Sequence, residues 1–123
     1  MTDETGFQIF ISHSSNDKGV ARELCTTLES SGFKCWIAPR DIPPGTNYEE
    51  GIMAGISECP VFLLISTEAM KESLYVPDEV NAAKRRKKVI IPLMMEEGLL
   101  FPPALELLLS RYQWLDVWEY PNI

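Results

Sequence analysis

Histidine occurs once in these 123 residues, and cysteine three times with no pair at CxxC spacing. Cys25, Cys35 and Cys59 are widely separated and odd in number. They make neither a disulfide framework nor a zinc ligand set, and they suit a reducing cytosol. The single histidine, His13, has no serine and aspartate arranged with it as a hydrolase triad requires. Basic residues are also scarce: 11 against 18 acidic ones leave a net charge of −7, which excludes the cationic footprint of a general nucleic-acid binder. No apolar run approaches the length of a membrane span, so no membrane contact is expected of this chain. The acidic opening Met1-Thr-Asp-Glu-Thr5 and the strand-length apolar run after it do not make a signal peptide. Internal repeats and low-complexity tracts are missing too. The expectation is a cytoplasmic chain, or a cytoplasmic module of a longer protein.

What is present is an ordinary globular composition, 46% hydrophobic and 24% charged, at a length that supports one core and one domain. A strand is expected from Phe7 to Ile11, ending in the polar turn Ser12-His-Ser-Ser-Asn-Asp17. Asp17 can cap a helix in which Val20, Ala21, Leu24, Cys25 and Leu28 recur at helical spacing, closed by Gly32. Phe33 to Ile37 reads as a second strand, and about Asn47 to Glu58 as a helix turning Ile52, Met53 and Ile56 inward. Val61 to Ile65 is apolar on both faces, as a central parallel strand should be. A short helix at 68–73 precedes a fresh helical start with Val76 near the cap, Pro77 in the first turn and Glu79 close behind. Val89 to Met94 makes a fourth strand, Pro102-Pro103 opens a leucine-rich helix, and Tyr112 to Val117 makes a fifth strand. The basic run Lys84 to Lys88 falls at a helix end, where it either complements the macrodipole or offers a docking patch.

Strands alternating with helices predict a five-stranded parallel sheet covered on both faces, with right-handed crossovers. The final helix is expected to be short or missing. Such a chain is expected to be a single domain, either excised from a longer protein or completed by a neighbour. Ligands of such sheets sit beyond the C-terminal strand ends, here Ser12-His13-Ser14, Trp36 to Asp41, and Ser66-Thr67. Between the second strand and the next helix lies Cys35-Trp-Ile-Ala-Pro-Arg-Asp-Ile-Pro-Pro-Gly45. Pro39, Pro43 and Pro44 stiffen this segment and keep it out of the sheet, and Gly45 permits a turn. Arg40 and Asp41 are expected to face solvent in it, either pairing with each other or presented to a partner.

The ordered set Phe10-Ile-Ser-His-Ser-Ser15, Trp36-Ile-x-x-Arg-Asp-Ile-x-x-Gly45, an apolar strand ending in Ser66, and Ser73-x-Tyr-x-x-x-Glu79 resembles a Toll/interleukin-receptor (TIR) domain, most similar to bacterial members. The resemblance covers nearly the whole chain. It implies a flavodoxin-like fold and a role for the loop from Pro39 to about Tyr48, with Arg40, Asp41, Pro43, Pro44 and Gly45, in homotypic association with other TIR domains. It also implies cleavage of the nicotinamide–ribose bond of NAD+ as a substrate, as a glycohydrolase or an ADP-ribose cyclase, with no cofactor. Glu79 matches the family's catalytic glutamate, four residues after an aromatic position filled here by Tyr75, where tryptophan is commoner. His13 and Ser14 match substrate-lining positions, and Trp36 matches an aromatic at the end of strand two. In bacteria the resemblance implies antiphage defence, with activity raised by self-assembly.

The chemistry fits those residue types. Nicotinamide leaves NAD+ as a neutral group, so no acid need protonate it, and positive charge grows on the ribose. A carboxylate can stabilise that charge, and an aromatic one turn earlier lies on the same helix face. Each residue also has a plainer reading: Glu79 as a first-turn acid favouring the helix dipole, Tyr75 as half-buried packing, Trp36 as core, and Ser12, Ser14 and Ser15 as satisfiers of turn backbone. A non-catalytic scaffold for TIR–TIR contacts is the alternative function. A phosphorelay receiver shares the topology but needs an acidic pair after strand one and an aspartate after strand three, where this chain has Ser-His-Ser and Ser-Thr.

Overall fold

The apolar runs lie side by side as parallel strands. In the computed structural model, which describes residues 6–120, β1 (Ile9–Ser12), β2 (Cys35–Ile37), β3 (Val61–Ser66), β4 (Val89–Met94) and β5 (Leu115–Asp116) form one sheet in the order β2-β1-β3-β4-β5. The helices are α1 (Lys18–Ser30), α2 (Tyr48–Glu58), α3 (Val76–Arg85) and α4 (Pro103–Leu109). This is the flavodoxin-like arrangement that strand–helix alternation predicts. The strand order reverses at β1, so β1 and its neighbours β2 and β3 frame a crevice at their C-terminal ends.

Period-two alternation divides the core into two layers. Phe10, Trp36, Phe62, Leu64 and Ile90 face α2, α3 and α4, meeting Ile56, Val80 and Leu105. Ile9, Ile11, Ile37, Leu63 and Ile65 face α1 and meet Ala21 and Cys25. Three helices therefore cover one face and a single helix the other. Among the described residues only a 3-10 turn at Val117–Glu119 follows β5, in keeping with the expected short ending. The groove beside α1, lined by Val20, Leu24, Met95 and Val117 among others, is left open.

Several local expectations are corrected. Met53 points outward because the buried face of α2 is set by Gly51, Ile52, Gly55 and Ile56, and position 53 lies outside that stripe. Phe33 is exposed and β2 begins only at Cys35. The fifth strand shrinks to two residues, paired through Leu93–Leu115 and Met94–Asp116. Asp17 occupies the N-cap of α1 without capping it. The basic run ends α3 as expected, with Lys84 and Arg85 in its last turn, and three of its side chains are also bound internally: Lys84 Nζ donates to the Leu108 carbonyl at 3.1 Å, Arg86 Nε to Ser57 Oγ at 3.0 Å, and Lys88 Nζ to the Ser57 carbonyl at 2.8 Å. These bonds tie the end of α3 to α2 and α4.

Candidate active site

At the C-terminal rim of β1 and β2 a cleft of about 720 Å³ opens between the proline loop, the start of α2 and the start of α3, within the size range of small-molecule sites. Phe10 and Ile52 are among its apolar walls, and His13, Tyr48, Tyr75 and Glu79 are among its polar ones. Glu79 arrives from α3. The Glu79 amide donates to the Tyr75 carbonyl at 3.0 Å, so helical register runs unbroken past Pro77, whose place in the first turn leaves that bond intact. Tyr75 and Glu79 therefore stand one turn apart on a common face.

Ser12 is the residue that fixes the carboxyl. Alternation along β1 puts Ser12 on the same side as Phe10, toward α3, and its hydroxyl donates to Glu79 Oε1 at 2.8 Å. No lysine or arginine among the described residues forms an ion pair with Glu79. Burial without a countercharge pushes its carboxyl up to about 7; the Ser12 hydrogen bond works against that rise, and the Asp78 charge adds to it. Tyr48, at the first residue of α2, is half exposed. Its phenol is raised above its usual value first by burial, then by the negative charges of Glu79 and Tyr75. Two tyrosines thus stand near one uncompensated acid.

His13 bridges the tips of β1 and β2. Its ring nitrogens lie 2.8 Å from the Ser14 carbonyl and 3.3 Å from the Ala38 carbonyl. Both partners are acceptors and a neutral imidazole carries one N–H, so the ring donates to one of them and stands against the other in the cleft wall. Ser14, by contrast, does not line the cleft. It is buried and donates to Asp17 Oδ2 at 2.8 Å, and the same oxygen receives the Thr67 hydroxyl at 2.7 Å. Asp17 thereby joins the ends of β1 and β3, which explains why its carboxylate does not cap α1.

Trp36 also lies outside the cleft. Its ring stacks on Phe10 with centroids 5.0 Å apart, and Phe10 stacks in turn on Phe62 at 5.4 Å; the three are cross-strand neighbours in register. Gly55 of α2 covers the indole so closely that a Cβ there would fall 2.5 Å from Trp36 Cε2. The aromatic at the end of strand two is a core residue.

The loop after β2 is anchored at its foot and open at its tip. Arg40 Nη2 donates to Glu29 Oε2 at 2.9 Å, to the Cys35 carbonyl at 2.8 Å and to Asp41 Oδ2 at 2.9 Å. Asp41 Oδ2 also accepts the Ile37 amide at 2.9 Å. The Arg40 hydrogen bond holds the Glu29 carboxyl below its usual value. Arg40 is exposed and pairs with Asp41 as one of the expected alternatives had it, and the two also hold the loop to α1 and β2, which was not expected. Pro43, Pro44 and Gly45 remain exposed, with Gly45 at φ 83°, a left-handed turn position.

One cleft residue, Tyr48, and one buried behind the cleft, Ser12, escaped the sequence reading as site residues. Tyr48 has no periodic signal, sitting alone at a helix start. Ser12 was weighed only as a turn residue, although alternation from Phe10 already directs it to the α3 side. Among the described residues no cluster of histidine, cysteine and acids is arranged to hold a metal, and no helix is long and apolar enough to cross a membrane.

The TIR domain family profile matches residues 9–122. A Brachypodium distachyon protein described as a probable 2′ cyclic ADP-D-ribose synthase, BdTIR, is 30% identical over 106 residues, covering 82% of this chain and 47% of that protein. The chain spans about half the length of that relative. Among solved structures, a metazoan TIR-STING receptor from C. gigas matches with a TM-score of 0.70 at 24% identity, over 89% of this chain and 38% of that one. The CMP N-glycosidase BcmB of Clostridium botulinum matches with a TM-score of 0.62 at 18% identity, over 88% and 87%. These two likenesses speak to the fold.

Proposed function

The chain belongs to the TIR-domain family, and on that premise we propose that it cleaves the bond between nicotinamide and ribose in NAD+, with Glu79 as the catalytic residue. The observation that carries this reading is an acid in a cleft with a hydroxyl donor and no ion-pair partner among the described residues. Ionised Glu79 is costly in the empty cleft. A ribose becoming cationic supplies the missing countercharge, so the interaction strengthens as the transition state forms, which is the condition for catalysis. Ser12 positions the carboxylate. The exposed rings of Tyr75 and Tyr48 offer faces on which a pyridinium can stack. His13 holds the tips of β1 and β2 together as a wall. The plant relative described as a cyclic ADP-ribose synthase supports the same substrate class.

The exposed tip Pro43-Pro44-Gly45 contributes nothing to the cleft walls, and that favours a second, compatible role: docking against another TIR domain. Self-assembly through this loop would raise activity, and NAD+ consumption by such assemblies would serve bacterial antiphage defence. If the loop acts alone, the domain is a scaffold. The deciding experiment incubates the full chain, at high concentration or fused to a forced oligomer, with NAD+ and separates the products by chromatography. Nicotinamide release is expected, and Glu79→Gln should lower it by about 10²-fold or more. Intact NAD+ with the assembled wild type, or equal turnover by the glutamine variant, leaves only the scaffold.

A further inference from the structure

His13, Lys18, Ala38 and Pro39 line the main cleft and also a second hollow of about 330 Å³, whose walls include Arg22 and Arg40. The two spaces therefore share a rim. Arg40 is occupied by Glu29 and Asp41. Lys18 and Arg22 are not: both are exposed, and neither forms an ion pair or hydrogen bond with any described residue. Four residues apart on α1, they stand on one face as a pair of free cations. In a chain with a net charge of −7, two side chains of this sign without a partner among the described residues, both lining the hollow that adjoins the cleft, are an exception that surface solvation does not require.

The cleft is consequently polarised. Glu49, Glu72 and Glu79 lie among its walls, Lys18 stands on the rim shared with the second hollow, and Arg22 lies beyond it in the wall of that hollow. A nicotinamide dinucleotide has the complementary polarity, with a cationic pyridinium on one ribose and a doubly negative diphosphate beyond it. We propose that Lys18 and Arg22 form the subsite for that diphosphate, setting the orientation of the dinucleotide and favouring ligands that carry two phosphates in a row. This rests on the reading of Glu79 as the residue facing the nicotinamide-bearing ribose. An ammonium and a guanidinium side by side can engage both phosphates through charge-assisted hydrogen bonds.

The test measures binding of ADP-ribose, which has no scissile nicotinamide, to the full chain by calorimetry. The double variant Lys18→Gln/Arg22→Gln should bind about tenfold more weakly than wild type, the scale for charge-assisted hydrogen bonds diluted by exposure. Arg85→Gln removes one charge from the far end of α3 and should leave the affinity unaltered. Wild-type affinity should also fall with added salt. An unchanged dissociation constant in the double variant, equal weakening by Arg85→Gln, or no ADP-ribose binding by wild type at millimolar concentration overturns the subsite. Its fate separates from that of the hydrolase: loss of ADP-ribose binding in the double variant, with NAD+ left intact by assembled wild type, keeps the subsite and removes the catalytic reading. NAD+ cleavage by both proteins at the same KM does the reverse.

Discussion

Replacing Glu79 with glutamine should make the protein more stable at pH 8 and barely so at pH 5. Burial lifts this carboxyl from 4.5 to about 7 in the folded chain, so the folded state favours the protonated acid. The stability it lends is whole below 4.5 and is lost as pH rises through about 7, above which the folded protein holds a desolvated anion. Each pH unit between the two values is worth about 1.4 kcal/mol, which puts the full penalty at about 3 kcal/mol. Solvent at the cleft mouth screens part of that, leaving about 2 kcal/mol. Glutamine keeps a carbonyl for the Ser12 hydroxyl and carries no charge, so it escapes the penalty. In thermal melts followed by circular dichroism, the variant should gain roughly 8 °C at pH 8 and about a third of that at pH 5. A gain of equal size at both pH values, or a loss at pH 8, would refute the argument that burial governs this acid. The substitution that the proposed function expects to lower turnover is thus also expected to strengthen the fold.

Gly55→Ala should destabilise the domain by about 2 kcal/mol in urea titrations, because the new methyl would meet three Trp36 ring atoms within 2.8 Å; a silent substitution would mean that the indole does not lie beneath α2. Gly45→Pro forces φ toward about −65° where the loop needs 83°, in a tip with no heavy atom within 4 Å of the added Cβ. It should reduce self-association in light scattering while costing the monomer only about 1–2 kcal/mol of unfolding free energy, the strain of one exposed tip. Undiminished association would remove the tip from the interface.

The fold was legible because the strongest signals are collective: Val61 to Ile65 reads as a central strand through five consecutive apolar residues, and Ala21 and Cys25 are placed in the core by helical spacing alone. The site was legible in a different way. Nothing in the first turn of α3 distinguishes Glu79 from a dipole-favouring acid such as Asp78; only the motif order singled it out, and its lack of a cationic neighbour is a tertiary property. Trp36 shows the opposite failure. An aromatic at a strand tip looks alike whether it faces a cleft or a helix, yet Gly51 and Gly55, four apart on the buried face of α2, already record a close approach. Arg40 was invisible as an anchor because its partner Glu29 lies eleven residues earlier on a helix. The fifth strand was overestimated because Tyr112, Trp114 and Val117 have strand propensity with only two residues of neighbouring backbone to pair with.

The sheet ends on one side in a strand of three residues and on the other in a strand of two. Borders this short present scant unpaired backbone for a foreign strand to zip onto. Copies of this domain crowded together would find little strand edge to add to, leaving side chains and loop tips to make any contact between them. A polymer built on those terms is far removed in kind from a fibril.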